Sequence, residues 1–421
     1  MGFAEPGTTT PTKKNKKPWL FFPPYQQTLP LKFSKPTQSM ATDCIALNPS
    51  LHLAKNEPEQ VVFDSSVLRH VSAIPQAFVW PDDERPTAGV EVLQMPIVDL
   101  GGFLLGDPVA CEETARIVGE ACEKHGFFLV KNHGVDPSLI AAAQQLSDCF
   151  FDMPLIEKQR AQRKPGQNCG YSSAFTGRFH SRLPWKETLT FAYSDSPNCS
   201  ELVENYFVGI MGDGFRHVGK VYQEYCEAMN TLSLGIMEIL GTSLGVEREH
   251  YKEFFKGNDS VLRLNFYPPC QKPDVTLGTG PHCDPTSLTI LYQDMEGLQV
   301  FVDGKWWSVA PEPETFVVNI GDTFMALSNG RFKSCLHRAV VNSEVARKSL
   351  AFFLCPEKNK LVRAPNELVD NEHPRMYPNF TWSTLLDFTQ KHYRADMNTL
   401  DHFTQWLQQQ QQQQQQLNNS N

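Results

Sequence analysis

Three features of the chain beyond about Ser260 predict its fold class. Apolar residues recur at every second position, the runs are short, and no helical period comes between them. Together they predict a mainly β protein with flanking helices, whose core is an antiparallel double-stranded β-helix, or jelly roll. A parallel sheet would need crossover helices between its strands.

In chain order, residues 1–60 are rich in Pro, Thr, Lys, Ser and Gln without a sustained period, and predict a disordered leader. Residues 61–210 read as a mainly helical region. Asp107-Pro108 places an N-cap before a proline at the first helical position, and Ala110, Ala115, Ile117, Val118, Ala121 and Cys122 follow at helical spacing up to Gly126. Asp136-Pro137 repeats that start for a second helix through Phe150, with a short strand over 127–130 between the two. A long helix linking to the core is expected within 211–256; Val218, Val221, Tyr222, Tyr225, Met229, Leu232 and Met237 form its apolar side and Gly241 its stop.

Residues 257–357 carry the jelly roll. Its strands are read at 261–267, 288–292 and 298–302, then past the Asp303-Gly304 hairpin turn at 306–309, and at 316–320, 324–327 and, after the Asn329-Gly330 turn, 350–354. Residues 358–407, with Trp382, Leu385, Leu386, Phe388, Leu400 and Trp406, predict closing helices. Over 408–421 an unbroken glutamine run, 408–416, predicts a disordered tail.

Composition narrows the function classes. With 41% hydrophobic residues and 28 Phe the chain can bury a large core, so wholesale disorder is excluded. The 38 basic and 47 acidic residues leave a net charge of -9, which argues against a nucleic-acid partner. The basic run from Lys13 to Lys17 is short and reads as a solvated tail. No apolar run is long enough to span a bilayer, so no membrane partner is expected. The patch Trp19, Leu20, Phe21 and Phe22 is cut by Pro23 and Pro24, too early for a secretory signal, and the lack of Arg before Arg69 argues against a plastid transit peptide. Eleven Cys without a Cys-x-x-Cys pair point to reduced, mostly buried thiols and a cytoplasmic setting.

The chemistry lies in residues scattered over the β region. His282 and Asp284 are two apart, so in extended chain they project to one side. His337 follows the Asn329-Gly330 turn, where an opposing strand can bring it back. Two His and one Asp on one face of an ion suit non-haem Fe(II), leaving positions for an oxidising cosubstrate and dioxygen. The same ligands also suit hydrolytic Zn(II). Arg347 and Ser349 share a strand face and together form a carboxylate receptor, for which a hydrolase has no use. Asn265 and Tyr267 are a second same-face pair, and Pro268 holds Tyr267 extended. Taken singly, Arg347 reads more readily as a surface ion-pair residue and Tyr267 as a half-buried strand aromatic; His125, His133, His180 and His217 read as structural.

Taken together, Asn265-Phe266-Tyr267-Pro268-Pro269-Cys270, His282-x-Asp284, His337 and Arg347-x-Ser349 resemble the plant Fe(II)/2-oxoglutarate-dependent dioxygenases, over roughly residues 60–400. Leu183-Pro184-Trp185-Lys186-Glu187-Thr188, with Gly278-Thr279-Gly280-Pro281, resembles the gibberellin 20-oxidase group among them. Phe266 stands where that group commonly has Tyr, on the face away from Tyr267. The resemblance implies that His282, Asp284 and His337 bind Fe(II). It also implies that Arg347, Ser349 and Tyr267 grip the far carboxylate of 2-oxoglutarate, whose keto-acid end lies near Asn265, with Arg347 essential to catalysis and ascorbate as reductant. The implied substrate is a diterpenoid acid, a twenty-carbon gibberellin intermediate oxidised stepwise at carbon 20 with dioxygen, and Phe353, Lys186 and Trp185 are its candidate contacts. Other readings are a sister dioxygenase acting on a flavonoid or a later gibberellin, and a non-catalytic hormone-binding protein.

Overall fold

Period-two patterning resolves into two sheets with a shared interior. The computed structural model describes residues 63–68, 73–87, 89–164, 166–173, 182–392 and 396–419. The leader expected over 1–60 and His180 lie outside the described residues. The strands are β1 (Ile97–Asp99), β2 (Phe127–Lys131), β3 (Gly170–Ser173), β4 (Glu187–Ser194), β5 (Asp259–Tyr267), β6 (Thr279–His282), β7 (Leu288–Gln293), β8 (Leu298–Val302), β9 (Lys305–Ser308), β10 (Phe316–Ile320), β11 (His337–Ala339) and β12 (Arg347–Leu354). Among the described residues a major eight-stranded sheet has the order β1-β2-β10-β7-β12-β5-β4-β3, and a minor four-stranded sheet the order β6-β11-β8-β9. Only β1 and β2 pair in parallel; the other paired strands of both sheets are antiparallel.

Alternation gives each central strand two buried faces. Leu262, Leu264, Ile290, Val318, Leu350 and Phe352 face a large core shared with the helices. The intervening residues Arg263, Asn265, Thr289, Asn319 and Ser349 face inward and line a cavity. At one end of the interior, Phe127, Leu129 and Val317 of the major sheet pack against Leu298, Val300 and Val302 of the minor one. The helices cover the outer face, led by Arg216–Ser243, whose buried side includes Val218, Val221, Tyr222, Tyr225, Met229 and Leu232. Asp107 and Asp136 each accept a backbone N–H at the start of helices Pro108–Lys124 and Pro137–Phe151, as the cap signals predict.

Several expectations are corrected. The region 61–210 holds more helix than strand, but β1 to β4 also lie within it and join the major sheet, so the boundary expected near 257 cuts through one sheet. The long helix does not stop at Gly241. It runs to Ser243, and the residue past its C-cap Leu244 is Gly245, at φ +71°. Gly241 instead lets the following turn approach, since a Cβ there would sit 3.3 Å from the Glu247 carbonyl oxygen. Residues 324–327 are not a strand but part of helix Asp322–Leu327; a short, largely buried apolar run has no period to tell helix from strand. The turn expected at Asn329-Gly330 is present, with both residues at positive φ; it closes that helix, and the Gly330 N–H donates to the Met325 carbonyl.

The glutamine tail is helical, continuing Thr399–Asn419. Leu400 and Phe403 are buried, and Phe403 and Trp406 pack with Phe388, so the helix is nucleated by apolar contacts and propagated by a residue that favours helix. No helix of the described residues is long and apolar enough to cross a membrane.

Candidate active site

The minor sheet brings His282 and His337 together. β6 and β11 pair with these two residues directly opposite, and their ring centroids are 4.3 Å apart. Asp284 follows β6 by two residues. The Nε2 atoms of His282 and His337 lie 3.6 and 3.7 Å from the same oxygen, Oδ1 of Asp284. All three side chains offer a ligand atom within 4.8 Å of the others.

Their outer contacts leave those atoms available. Nδ1 of His282 is 2.9 Å from the Gly280 carbonyl and Nδ1 of His337 is 3.1 Å from the Cys335 carbonyl. A carbonyl can only accept, so each Nδ1 carries the proton and each Nε2 presents a lone pair. Oδ2 of Asp284 accepts from Thr289 Oγ1 at 2.6 Å and Asn319 Nδ2 at 3.0 Å, which leaves Oδ1 turned toward the imidazoles. Burial and the neighbouring His337 push the His282 imidazole down to about 3, so it is neutral at physiological pH. For Asp284 burial acts upward, but the two imidazoles and the donated hydrogen bonds outweigh it and hold the carboxyl below its usual range. Two imidazole Nε2 atoms and one carboxylate oxygen converging on one point fit a divalent non-haem iron.

A carboxylate receptor lies across the cavity, on the major sheet. The register of β5 and β12 sets Tyr267 opposite Arg347 and Asn265 opposite Ser349. Arg347 is buried; its Nη2 donates to Gln293 Oε1 at 2.9 Å, while its Nε has no hydrogen-bond partner. Ser349 Oγ accepts from Asn265 Nδ2 at 3.2 Å, so its own proton remains to be donated. Gly297, at φ +140°, permits this placement, because a Cβ there would lie 2.6 Å from Cδ of Arg347. A buried guanidinium with an unspent donor beside a hydroxyl fits the far carboxylate of a dicarboxylic acid such as 2-oxoglutarate.

The substrate candidates divide. Phe353 and Lys186 line the same cavity as the three metal-ligand candidates, Asn265, Tyr267, Arg347 and Ser349. Trp185 does not. It is fully buried against Phe63 and Phe78, and its Nε1 donates to the Pro268 carbonyl, so it fastens an N-terminal segment to the loop after β5. The next side chains alternate inward and outward: Lys186 Nζ reaches Thr279 Oγ1 at 2.9 Å, while Glu187, at the start of β4, points away and pairs with Lys158. His125 and His133 each accept a backbone N–H two residues on and take no part in the site, and His217 is exposed.

Sequence reasoning missed Thr289 and Asn319, which orient Asp284, and Arg263, which lines the cavity. Arg263 was legible by alternation, since 263, 265 and 267 share a face of β5. Thr289 and Asn319 had no such signal: Asn319 is 35 residues from Asp284, and Thr289, though five residues away, lies beyond the bend between β6 and β7, so no strand period links the two.

Comparison with known proteins agrees with this geometry. Residues 258–356 match the family model described as the 2OG-Fe(II) oxygenase superfamily, and residues 95–206 that of the non-haem dioxygenase in morphine synthesis N-terminal region. Gibberellin 20 oxidase 1-B of Triticum aestivum is 62% identical over 352 residues, covering 83% of this chain and 96% of its own. The chain belongs to the 2OG-Fe(II) oxygenase superfamily. Gibberellin 20 oxidase 3 of Arabidopsis thaliana is 59% identical over 375 residues, 88% of this chain and 99% of its own. Among solved structures, JOX2 in complex with 2OG, Fe and JA superposes with a TM-score of 0.71 at 32% identity, over 83% of this chain and 99% of JOX2. The fold is therefore that of the 2OG oxygenases, and the protein is an Fe(II)/2-oxoglutarate-dependent dioxygenase.

Proposed function

We propose that this enzyme oxidises twenty-carbon gibberellin intermediates at carbon 20, in successive steps, to nineteen-carbon gibberellins. The supporting observation is the likeness to the gibberellin 20 oxidases over nearly their whole length, joined to a cavity that holds both the iron-ligand candidates and a carboxylate receptor. His282, Asp284 and His337 are assigned to Fe(II), and Arg347, Ser349, Tyr267 and Asn265 to 2-oxoglutarate. When bound, iron and cosubstrate supply the oxidising power, with dioxygen consumed and 2-oxoglutarate converted to succinate and CO2; ascorbate keeps the iron reduced.

The chain's own residues supply position and exclusion of water. Thr289 and Asn319 hold Asp284 in one rotamer, Gln293 holds the Arg347 fork, and Phe353 offers an apolar wall to a rigid ring system. We place the reaction in the cytoplasm, a reading supported by ten described cysteines that are all free thiols. The test is incubation of purified protein with Fe(II), 2-oxoglutarate, ascorbate and a panel of gibberellin precursors and flavonoids, with products read by mass spectrometry. Succinate release and carbon-20 oxidation that depend on the gibberellin precursor are expected. Conversion of flavonoids alone overturns the substrate assignment, and tight gibberellin binding without turnover overturns the enzymatic one.

A further inference from the structure

The cavity carries more cationic groups than the cosubstrate requires. Under the assignments above, Fe(II), Asp284, the dianionic cosubstrate and Arg347 cancel, yet Lys186, Arg263 and Arg338 also line the cavity. Arg338 is engaged by Gln299 and by the Glu84 and Arg85 carbonyls, which leaves Lys186 and Arg263. Lys186 Nζ donates to Thr279 Oγ1, which lies 3.3 Å from the Tyr267 hydroxyl, and Tyr267 stands opposite Arg347. Lys186 is therefore tied through Thr279 to the Tyr267 end of the sheet face assigned to the cosubstrate, while its charge also feels Arg263.

Arg263 is four residues back along β5, opposite Thr190 on one side and Ala351 on the other. Its guanidinium carbon lies 5.3 Å from the ring centroid of Phe353, the apolar wall assigned to substrate. Its Nε donates to Thr190 Oγ1 at 3.1 Å, and its terminal nitrogens bond to no described residue. Among the described residues no carboxylate forms an ion pair with it, although it is half-buried. A half-buried guanidinium with an idle fork, set over an aromatic ring and aimed into a cavity, is a receptor for one further carboxylate.

We propose that Arg263, backed by Phe353, anchors a carboxylate of the diterpenoid acid substrate, and that Lys186 serves the cosubstrate end. This rests on the gibberellin reading above. The sequence pattern drew attention to Lys186 as the substrate cation; the strand register transfers that role to Arg263. A bidentate anchor also restricts how a rigid ring system can turn, so Arg263 helps select which carbon faces the iron.

The test is anaerobic isothermal titration calorimetry of the full-length protein loaded with Fe(II) and 2-oxoglutarate, using a twenty-carbon gibberellin acid and its methyl ester as paired ligands. The wild type should bind the acid on the order of a hundredfold more tightly than the ester. Arg263→Met should abolish that preference, Arg263→Lys should keep part of it, and Lys186→Met should retain it. A purely structural Arg263 would weaken acid and ester alike. The assignment is overturned if Arg263→Met, or Arg263→Lys should the first variant not fold, discriminates acid from ester as the wild type does. Wild-type protein that binds neither ligand would overturn the gibberellin reading itself, and the anchor with it.

Discussion

Asp284 can serve as a ligand only while its side chain is held in one orientation, and two neutral donors hold it. Thr289 Oγ1 at 2.6 Å and Asn319 Nδ2 at 3.0 Å both bind Oδ2, from neighbouring strands of the major sheet. Thr289→Val keeps the β-branched shape and removes one of them; Asn319→Leu removes the other. A hydrogen bond to a charged group contributes about 1.5–3 kcal/mol. Loss of such an outer partner typically weakens metal binding about 10- to 100-fold. Each variant should therefore lose that much affinity for Mn(II), followed by electron paramagnetic resonance, with circular dichroism reporting the fold. The double variant should lose more than either. If both single variants are folded and bind Mn(II) as the wild type does, the orienting role is wrong.

Other consequences follow from the same geometry. Arg347→Lys replaces a fork by a point charge and should raise the KM for 2-oxoglutarate by about 10- to 100-fold, from the loss of one charge-assisted hydrogen bond. Gly297→Ala should raise it too, because the new methyl group would press on Cδ of Arg347; an unchanged KM would show that the guanidinium tolerates displacement. Trp185→Ala should cost about 3–5 kcal/mol of stability in urea denaturation. A Trp185→Ala protein of wild-type stability with a raised substrate KM would restore the substrate role that the structure denies it. Removal of residues 408–421 should alter stability by no more than about 0.5 kcal/mol, since the glutamines at 408–413 are exposed; a larger loss would reveal a contact made by the tail.

The parts of the fold legible in sequence were those with a local physical signal. The Asp-Pro starts at 107 and 136 announce caps, and the strands over 298–302 and 316–320 emerge with the expected bounds because alternation and flanking turns are strong there. β4 carries the same signal in Leu189, Phe191 and Tyr193, but it lies amid helices whose longer apolar periods dominate residues 61–210. The apolar run at 324–327 lacked any period because Phe324, Ala326 and Leu327 are buried and Met325 is partly so. For the site, His282, Asp284, His337, Arg347 and Ser349 were legible as residue types at suggestive spacings. Their convergence was not, because it depends on β6 pairing with β11 and β5 with β12 across long stretches of chain. Trp185 and Lys186 are neighbours in one hexapeptide, yet one is buried in an aromatic cluster and the other lines the cavity, a distinction only the strand's facing decides.

The central claim is that three side chains from β6, the loop after it and β11 hold one ferrous ion beside a receptor for 2-oxoglutarate. Anaerobic mixing of the protein with Fe(II) and 2-oxoglutarate tests it directly through the metal-to-ligand charge-transfer absorption of the chelated keto acid. The account predicts this band in the wild type and its loss in His282→Ala, Asp284→Ala and His337→Ala proteins that remain folded. A wild-type protein without the band, or three variants that keep it at full strength, would contradict it.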